Sequence, residues 1–461
     1  VNASWGGAAI EAWMTEQQLV RLPGHRRGVE LLRGYRADPR RSELAFADDW
    51  VRWWQQASTM GPVWEMGVLD GHPDWRPAPL TDWRSYPDER LAGFTGNLWF
   101  SASFELTGEQ SRTGATFVLG GIDEVDTTWL NGRFVANSFG YGTRREYRLE
   151  PGMLQPGTNQ FSVLVTNTYA AGGMTGPAEE VGIRFDDGSF VPLGHAWRYR
   201  VVSRETGYPP RAPWESVSGL TSMFNGMIAP LAPLPPSGVI WYQGESNAES
   251  PDAYAELLRG LVAGWRSHFS RPDLPFIVVQ LPNYGAVAAT PADSGWARLR
   301  HAQQQVALAD ARVGLVVTQD LGEDDDIHPR AKHAVALRAA QVASALESGG
   351  NADGAVPVMA AVHDSRLVLE FWPPLALGHA TGVGHFSLCT EDAARCVPAS
   401  AVHEGSRVVV DRSPLPDAAL LRHCWSDGGT CALKTLGGWP VPSFELPLPA
   451  APSPARQQPA P

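Results

Sequence analysis

Beyond Ser218 the chain alternates short, wholly apolar runs with longer stretches in which apolar residues recur three and four positions apart. The run Val239 to Tyr242 leads into "PDAYAELLRGLVAGWRSHF", where Tyr254, Leu257, Leu258, Leu261, Val262 and Trp265 fall on one helical face. "PFIVVQL" (Pro275 to Leu281) and "VGLVVTQD" (Val313 to Asp320) read as further buried strands, and "WARLRHAQQQVALA" and "AKHAVALRAAQVASALE" as further helices. Apolar strands separated by helices predict an α/β fold whose parallel sheet is covered on both faces.

Between about Leu91 and Val202 the texture changes to many short alternating strands, among them "NLWFSASFEL", "GATFVLGGID", "TTWLNGRFVA" and "NQFSVLVTN". With Asn131-Gly132 marking a tight hairpin, this region predicts a β-sandwich or jelly roll. It reads as an insertion, residues 87–203, into an α/β domain made of residues 1–86 and 204–355. The opening 86 residues are too short to stand alone and join the later α/β material in one sheet. Strands dominate again from about Val356, predicting a small C-terminal β domain over 356–446. From Pro447 the composition collapses to Pro, Ala and Gln, and 447–461 reads as a disordered tail.

At 461 residues, with 43% hydrophobic and 19% charged, the chain has the make-up of a folded protein of several domains. No run of about 18 apolar residues occurs, so no membrane span is expected. A formal net charge of −12 offers no basic footprint for nucleic acid. The four cysteines, Cys389, Cys396, Cys424 and Cys431, are spaced too widely for C-x-x-C zinc or redox motifs, and disulfides fit them better. Three connectivities are open, of which Cys389 with Cys396 and Cys424 with Cys431 closes the smallest loops at the least entropic cost. Disulfides imply an oxidising compartment, extracellular, periplasmic or lysosome-like; the alternative is four reduced, buried thiols. No H-E-x-x-H spacing and no Gly-rich phosphate loop occurs, so neither metal nor cofactor is expected.

Three clusters carry candidate chemistry. "DDDIHP" (Asp324 to Pro329) follows a strand and precedes a helix, which places His328 at the C-terminal edge of the sheet, where open α/β folds bind their ligands. An Asp shortly before it can orient one imidazole nitrogen and leave the other to take a proton. Gly6 and Gly7, in "SWGG", permit a bend that aims backbone N–H groups at an oxyanion. In "GVIWYQGESNA", Gln243 and Asn247 can donate amide hydrogens, Gly244 can bring backbone close to a substrate, and Glu245 can anchor neighbouring loops. Ser246 has the G-x-S-x-A surroundings of a nucleophile elbow, but its Asp and His partners would then both come from one hexapeptide, unlike the α/β-hydrolase arrangement.

Five stretches, in order, give the sequence a resemblance: "NASWGGAAIEAW", "SMFNGMIAPLAPLPPSGVIWYQGESNA", "VVQLPNY", "WARLRHAQQ" and "DDDIHPRAK". Together they resemble the sialate O-acetylesterase family of the SGNH-hydrolase superfamily. "GGIDEVDTTWLNG" is similar to the jelly-roll, galactose-binding-like module that such esterases carry as an insertion, and "LRHCWSDGGTCAL" resembles their closing β segment. The resemblance implies a flavodoxin-like, three-layer α/β/α esterase domain acting on acetyl esters of sugars through a Ser/His/Asp acyl-enzyme mechanism, without a cofactor. It casts His328 as general base with Asp325 or Asp326 as its orienting carboxylate: D-x-x-H spacing favours Asp325 and the "DIHP" wording Asp326. The Gly6-Gly7 bend then supplies an oxyanion N–H, the Gln243-Gly244-Glu245-Ser246-Asn247 turn supplies side-chain donors, and Ser246 is a turn residue. The family's nucleophile lies in a "GQSNM" motif that does not occur here. The expectation is that the serine-bearing strand lies outside this chain, the alternative being a degenerate relative. A rival reading is a non-catalytic carbohydrate-binding protein that uses the jelly roll, for which the eighteen tryptophans are the motive.

Overall fold

A computed structural model describes residues 1–69, 72–168, 172–286, 290–349, 356–363, 365–372, 385–429, 431, 433–434 and 438–449. The chain forms two compact units, one of Val1–Gly24 with Thr221–Pro461 and the other of His25–Leu220.

In the His25–Leu220 unit, two helices precede the strands: α1 (Arg26–Ala37) and α2 (Pro39–Ala57). Asp38 starts α2 by accepting the Arg41 N–H at 3.0 Å, with Pro39 in the first turn, where a missing N–H costs nothing. Phe46, Trp50 and Trp54 recur every four residues and form the buried stripe of α2. That stripe packs with Trp64, Trp99, Trp129 and Leu164 in a tryptophan-rich core. Two antiparallel sheets follow. One orders Arg76–Pro77, Arg198–Val201, Gly96–Leu106, Gly157–Asn167, Val125–Leu130 and Arg133–Phe139; the other orders Phe190–Pro192, Gly182–Phe185, Ala115–Asp123 and Thr143–Arg148. Leu98, Phe100, Phe117, Leu119, Phe161 and Val163 from both sheets share a second core. The first sheet is therefore apolar on both faces, Leu98 and Phe100 toward the partner sheet and Trp99 toward the tryptophans. The hairpin at Asn131 (φ 51°) and Gly132 (φ 79°) is as its dipeptide predicts, with both central residues left-handed. The unit's start differs from the boundary at 86/87: residues 25–86 group with the strands because the α2 stripe is covered by Trp99 and Trp129. At its other end the unit closes at Leu220, beyond 203.

The other unit contains the parallel sheet, ordered β1 (Val239–Tyr242), β2 (Phe276–Val279) and β3 (Val313–Val316). Between and after them run α3 (Tyr254–His268), α4 (Gly295–Ala309) and α5 (Lys332–Ser348). Val335, Ala339, Val342 and Leu346 of α5 cover Ile277, Val279 and Val316. On the residues of opposite alternation, Trp265 of α3 packs against Trp241 and Phe276, with ring centroids 6.2 and 6.0 Å apart. All six apolar positions expected on α3 are buried. β1 is an edge strand, and its Ile240 is 63% exposed.

Two four-stranded antiparallel sheets complete this unit. Leu367, Leu369, Val408 and Val410 of one sheet and Phe386, Leu388, Leu421 and Phe444 of the other share a core. Both disulfides lie here, Cys389–Cys396 and Cys424–Cys431, the two short-range closures. Pro447 ends the strand Phe444–Pro447 and so is not part of a tail; residues 450–461 lie outside those described. No helix among the described residues is long and apolar enough to cross a membrane.

Candidate active site

Because β1, β2 and β3 run parallel, the turns that follow them emerge at one edge of the sheet. The turn after β1 holds Gln243 to Asn247, the loop after β2 holds Asn283 and Tyr284, and the loop after β3 holds Asp324 to His328. Side-chain amides bind the N-terminal bend to the first of these. Asn247 Oδ1 accepts the Ile10 N–H at 3.0 Å, and its Nδ2 donates to Glu11 Oε2 at 3.0 Å. Gln243 Nε2 donates to the Ala8 carbonyl (3.1 Å) and to Asn247 Oδ1 (2.8 Å). Ser246 Oγ donates to the Gly7 carbonyl at 3.0 Å. The Tyr254 hydroxyl donates to Gln243 Oε1 at 2.9 Å, and Gln303 Nε2 donates to the Gln243 carbonyl at 3.1 Å. Burial drives the Tyr254 phenol well above its ordinary pKa, so it serves this web as a neutral donor.

These contacts show where three residues singled out in the sequence are placed. Gln243 is buried with both amide hydrogens engaged inside the web, so it ties the two bends together rather than offering a free donor. Gly244 is needed for packing: a Cβ there would lie 2.7 Å from Leu299 Cδ2 and 3.1 Å from Leu281 Cδ2, so its bare side faces leucines. Glu245 is half-buried; its carbonyl accepts the Ala248 N–H within the turn at 3.2 Å, and its carboxylate has no hydrogen bond or ion pair to a neighbouring loop among the described residues. Gly7 has φ +71° with open space beside its Cα, so its backbone geometry, not crowding, calls for glycine; Gly6 is likewise uncrowded. Ser246 is exposed and bonded to Gly7, the placement of a turn residue.

In the loop after β3, His328 Nδ1 lies 3.7 Å from Asp326 Oδ1, and the His328 N–H donates to the same oxygen at 2.8 Å. Of the two carboxylates considered, Asp326 is the one brought to the imidazole; Asp325 is exposed and makes no such contact. The imidazole is 86% exposed, where solvent weakens the pairing. Lys332, just beyond, sets its ammonium 5.1 Å from the Tyr242 ring centre, which brings the start of α5 over the end of β1. Among the described residues, no group of three or more His, Cys, Asp or Glu is placed to hold a metal ion.

Glu11, Tyr254, Gln303, Asn283, Asp324 and Arg300 are part of this edge and were not singled out by sequence reasoning. A signal exists for two of them: Arg300 and Gln303 are polar residues on the buried face of α4, in register with Trp296, Leu299 and Val306. Arg300 donates to four carbonyls, those of Leu281 (2.9 Å), Pro282 (2.7 Å), Ser426 (2.9 Å) and Asp427 (2.9 Å). Burial pulls its guanidinium down to about 9, still above neutrality, so it holds these loops as a cation at pH 7.

Comparison with known proteins gives a concordant result. A family model described as "Carbohydrate esterase, sialic acid-specific acetylesterase" matches residues 214–346. The sialate O-acetylesterase of Rattus norvegicus is 33% identical over 158 residues, 30% of this chain and 29% of that protein. The Homo sapiens sialate O-acetylesterase is 27% identical over 261 residues, 50% of each chain. The chain thus spans about half or less of the length of these curated relatives. A carbohydrate acetylesterase structure from Xanthomonas citri is 22% identical with a TM-score of 0.46, covering 73% of this chain and 96% of that one. Residues 214–346 thus match the family model, and over part of its length the chain is similar to curated sialate O-acetylesterases.

Proposed function

We propose that this chain belongs to a carbohydrate O-acetylesterase that hydrolyses acetyl esters on sugars such as sialic acid or plant-wall glycans. The observation that carries the reading is the Asp326–His328 pair at the same sheet edge as the glycine bend tied to the turn after β1. In this reading the residues around the parallel sheet form an SGNH-type three-layer domain, the His25–Leu220 strands a jelly-roll insertion, and the disulfides serve an enzyme of an oxidising compartment.

The nucleophilic serine is supplied by a segment outside this sequence. The free edge of β1, where Ile240 lies bare, supports this by offering room for one more parallel strand. His328 takes the serine proton as the hydroxyl attacks the acetyl carbonyl, and Asp326 steadies the imidazolium. Backbone N–H groups of Gly6 and Gly7 meet the oxyanion, joined by the Asn247 amide hydrogen not used on Glu11. The alcohol leaves with the proton from His328, and water, activated by the same histidine, releases acetate. Losing one oxyanion donor costs about 3 to 4 kcal/mol in the barrier.

The test is acetate release from p-nitrophenyl acetate and from an O-acetylated sugar. The chain alone is expected to be inactive, and a fusion carrying a relative's serine-bearing strand ahead of Val1 to be active. His328→Ala in that fusion is expected to lower turnover by at least about a thousandfold. Near-normal release by that variant removes the base assignment, and activity of the unfused chain would make Ser246 the nucleophile. A fusion that binds glycan without releasing acetate supports the carbohydrate-binding alternative.

A further inference from the structure

The loop closed by Cys424–Cys431 lies far along the chain from the histidine loop, yet it is fastened to the same edge of the sheet. The Tyr284 N–H donates to the Asp427 carbonyl at 3.1 Å, and Ser294, the residue capping α4, donates from its hydroxyl to Asp427 Oδ1. Arg300 takes the Ser426 and Asp427 carbonyls with one side of its guanidinium and those of Leu281 and Pro282 with the other. The Gly429 N–H donates to Asp324 Oδ1 at 3.3 Å, and that oxygen also accepts from Asn283 Nδ2 at 2.8 Å. The Asp324 carbonyl in turn accepts the Gly285 N–H at 2.9 Å, and Asn283 Oδ1 accepts the Gly322 N–H at 2.9 Å. Asp324 stands two residues before Asp326 and four before His328.

Backbone lies against backbone at this junction. A Cβ on Gly428 would sit 1.8 Å from the Gly285 carbonyl oxygen, and one on Gly322 would sit 2.1 Å from the Asn283 carbonyl oxygen. No side chain fits either position without displacing a main chain, so the cysteine loop has one seating. A cyclic loop of eight residues has few conformations to lose on docking, and a buried cation spanning four carbonyls fixes its distance from the loop after β2.

We infer that the Cys424–Cys431 loop is a clamp that sets the position of the Asp326–His328 pair through Asp324, with Arg300 and Gly428 as positioning residues. This rests on the reading of His328 as the general base. The clamp itself, however, is a statement about the loop's rigidity and is measurable without turnover. The exposed imidazole has little packing of its own to hold it, so its placement is inherited from the backbone at Asp324.

The experiment compares the unaltered protein with Gly428→Ala, with the Cys424→Ser/Cys431→Ser pair, and with Cys389→Ser/Cys396→Ser as a control that opens the other disulfide of the same β region. Two quantities are read: amide hydrogen exchange across residues 321–330, and the His328 imidazole proton resonance, assigned by its disappearance in His328→Ala. Gly428→Ala and the 424/431 pair are expected to raise exchange across 321–330 at least tenfold and to move the His328 resonance; the control is expected to do neither. Unchanged exchange and resonance in Gly428→Ala overturn the clamp, as does an equal response in the control. Should Gly428→Ala fail to fold, Asp324→Ala replaces it: this surface change removes the carboxylate that Gly429 and Asn283 share, and opening the 424/431 disulfide in its background is then expected to leave the His328 resonance where Asp324→Ala puts it, a further shift overturning the clamp. If the resonance and exchange respond while His328→Ala retains turnover in the serine-bearing fusion, the clamp stands and the base assignment alone falls.

Discussion

His423 is buried between Phe386 and Phe444, with ring centroids 4.9 and 5.2 Å away, and burial pulls its pKa down to about 3. The folded state therefore holds it neutral, whereas the unfolded chain protonates it near 6.5. A folded pKa below the unfolded one means that its contribution to stability is complete above about pH 6.5 and is lost as pH falls toward 3. At pH 5 the loss is on the order of 2 kcal/mol for this one group. Urea unfolding of the cysteine-bearing unit at pH 7 and pH 5 checks it: His423→Phe is expected to flatten the difference, and an unchanged pH slope in that variant rules the cause out. Single residues also show where sequence reading stops. The sequence left Asp325 and Asp326 both open, D-x-x-H spacing favouring the first and the "DIHP" wording the second; in the fold the His328 N–H turns back onto Asp326, a contact that spacing does not record. Likewise, Gln243 reads as a donor in sequence, and only the fold shows that its hydrogens are already engaged with Ala8 and Asn247.

At the scale of elements, the helical stripes were legible and their partners were not. Residues 254–265 show their apolar period in sequence and bury it as expected, since period is a local property. The stripe Phe46, Trp50, Trp54 is as clear, but which sheet it covers is decided by residues 45 and more positions away, Trp99 and Trp129. Trp50→Ala is expected to destabilise the His25–Leu220 unit by roughly 3 to 5 kcal/mol, read as a lowered denaturant midpoint for that unit. The edge strand offers a contrast within one sheet. Ile240 is 63% exposed and its β2 neighbour Ile277 only 6%. Ile240→Ala is expected to change stability by no more than about 0.5 kcal/mol, and Ile277→Ala to cost roughly 2 to 5 kcal/mol. Equal costs at the two positions would mean that β1 is covered after all.

At the scale of the whole molecule, both disulfides belong to one of the two units. Each closes a loop of eight residues, for which chain entropy accounts for about 2.5 kcal/mol. Reductant is expected to lower the calorimetric transition of that unit and to leave the transition of His25–Leu220 in place; movement of both would show that they unfold as one. The pairing was readable because short closures are favoured by chain statistics alone. The extent of the His25–Leu220 unit was not, because no local pattern records that residues of α2 pack with its strands. What the sequence also hides is how widely the parts of the edge are scattered along it. Ala8, Ile10 and Glu11 close on it from one stretch of the sequence, and Ser426, Asp427 and Gly429 from another far downstream. A ribosome delivers the one group long before the other, so the edge cannot be completed until synthesis has passed Cys431 and the Cys424–Cys431 bond has closed. Premature stop codons between residues 350 and 424 would leave the histidine and both glycines in the translated product, yet without the piece that braces them.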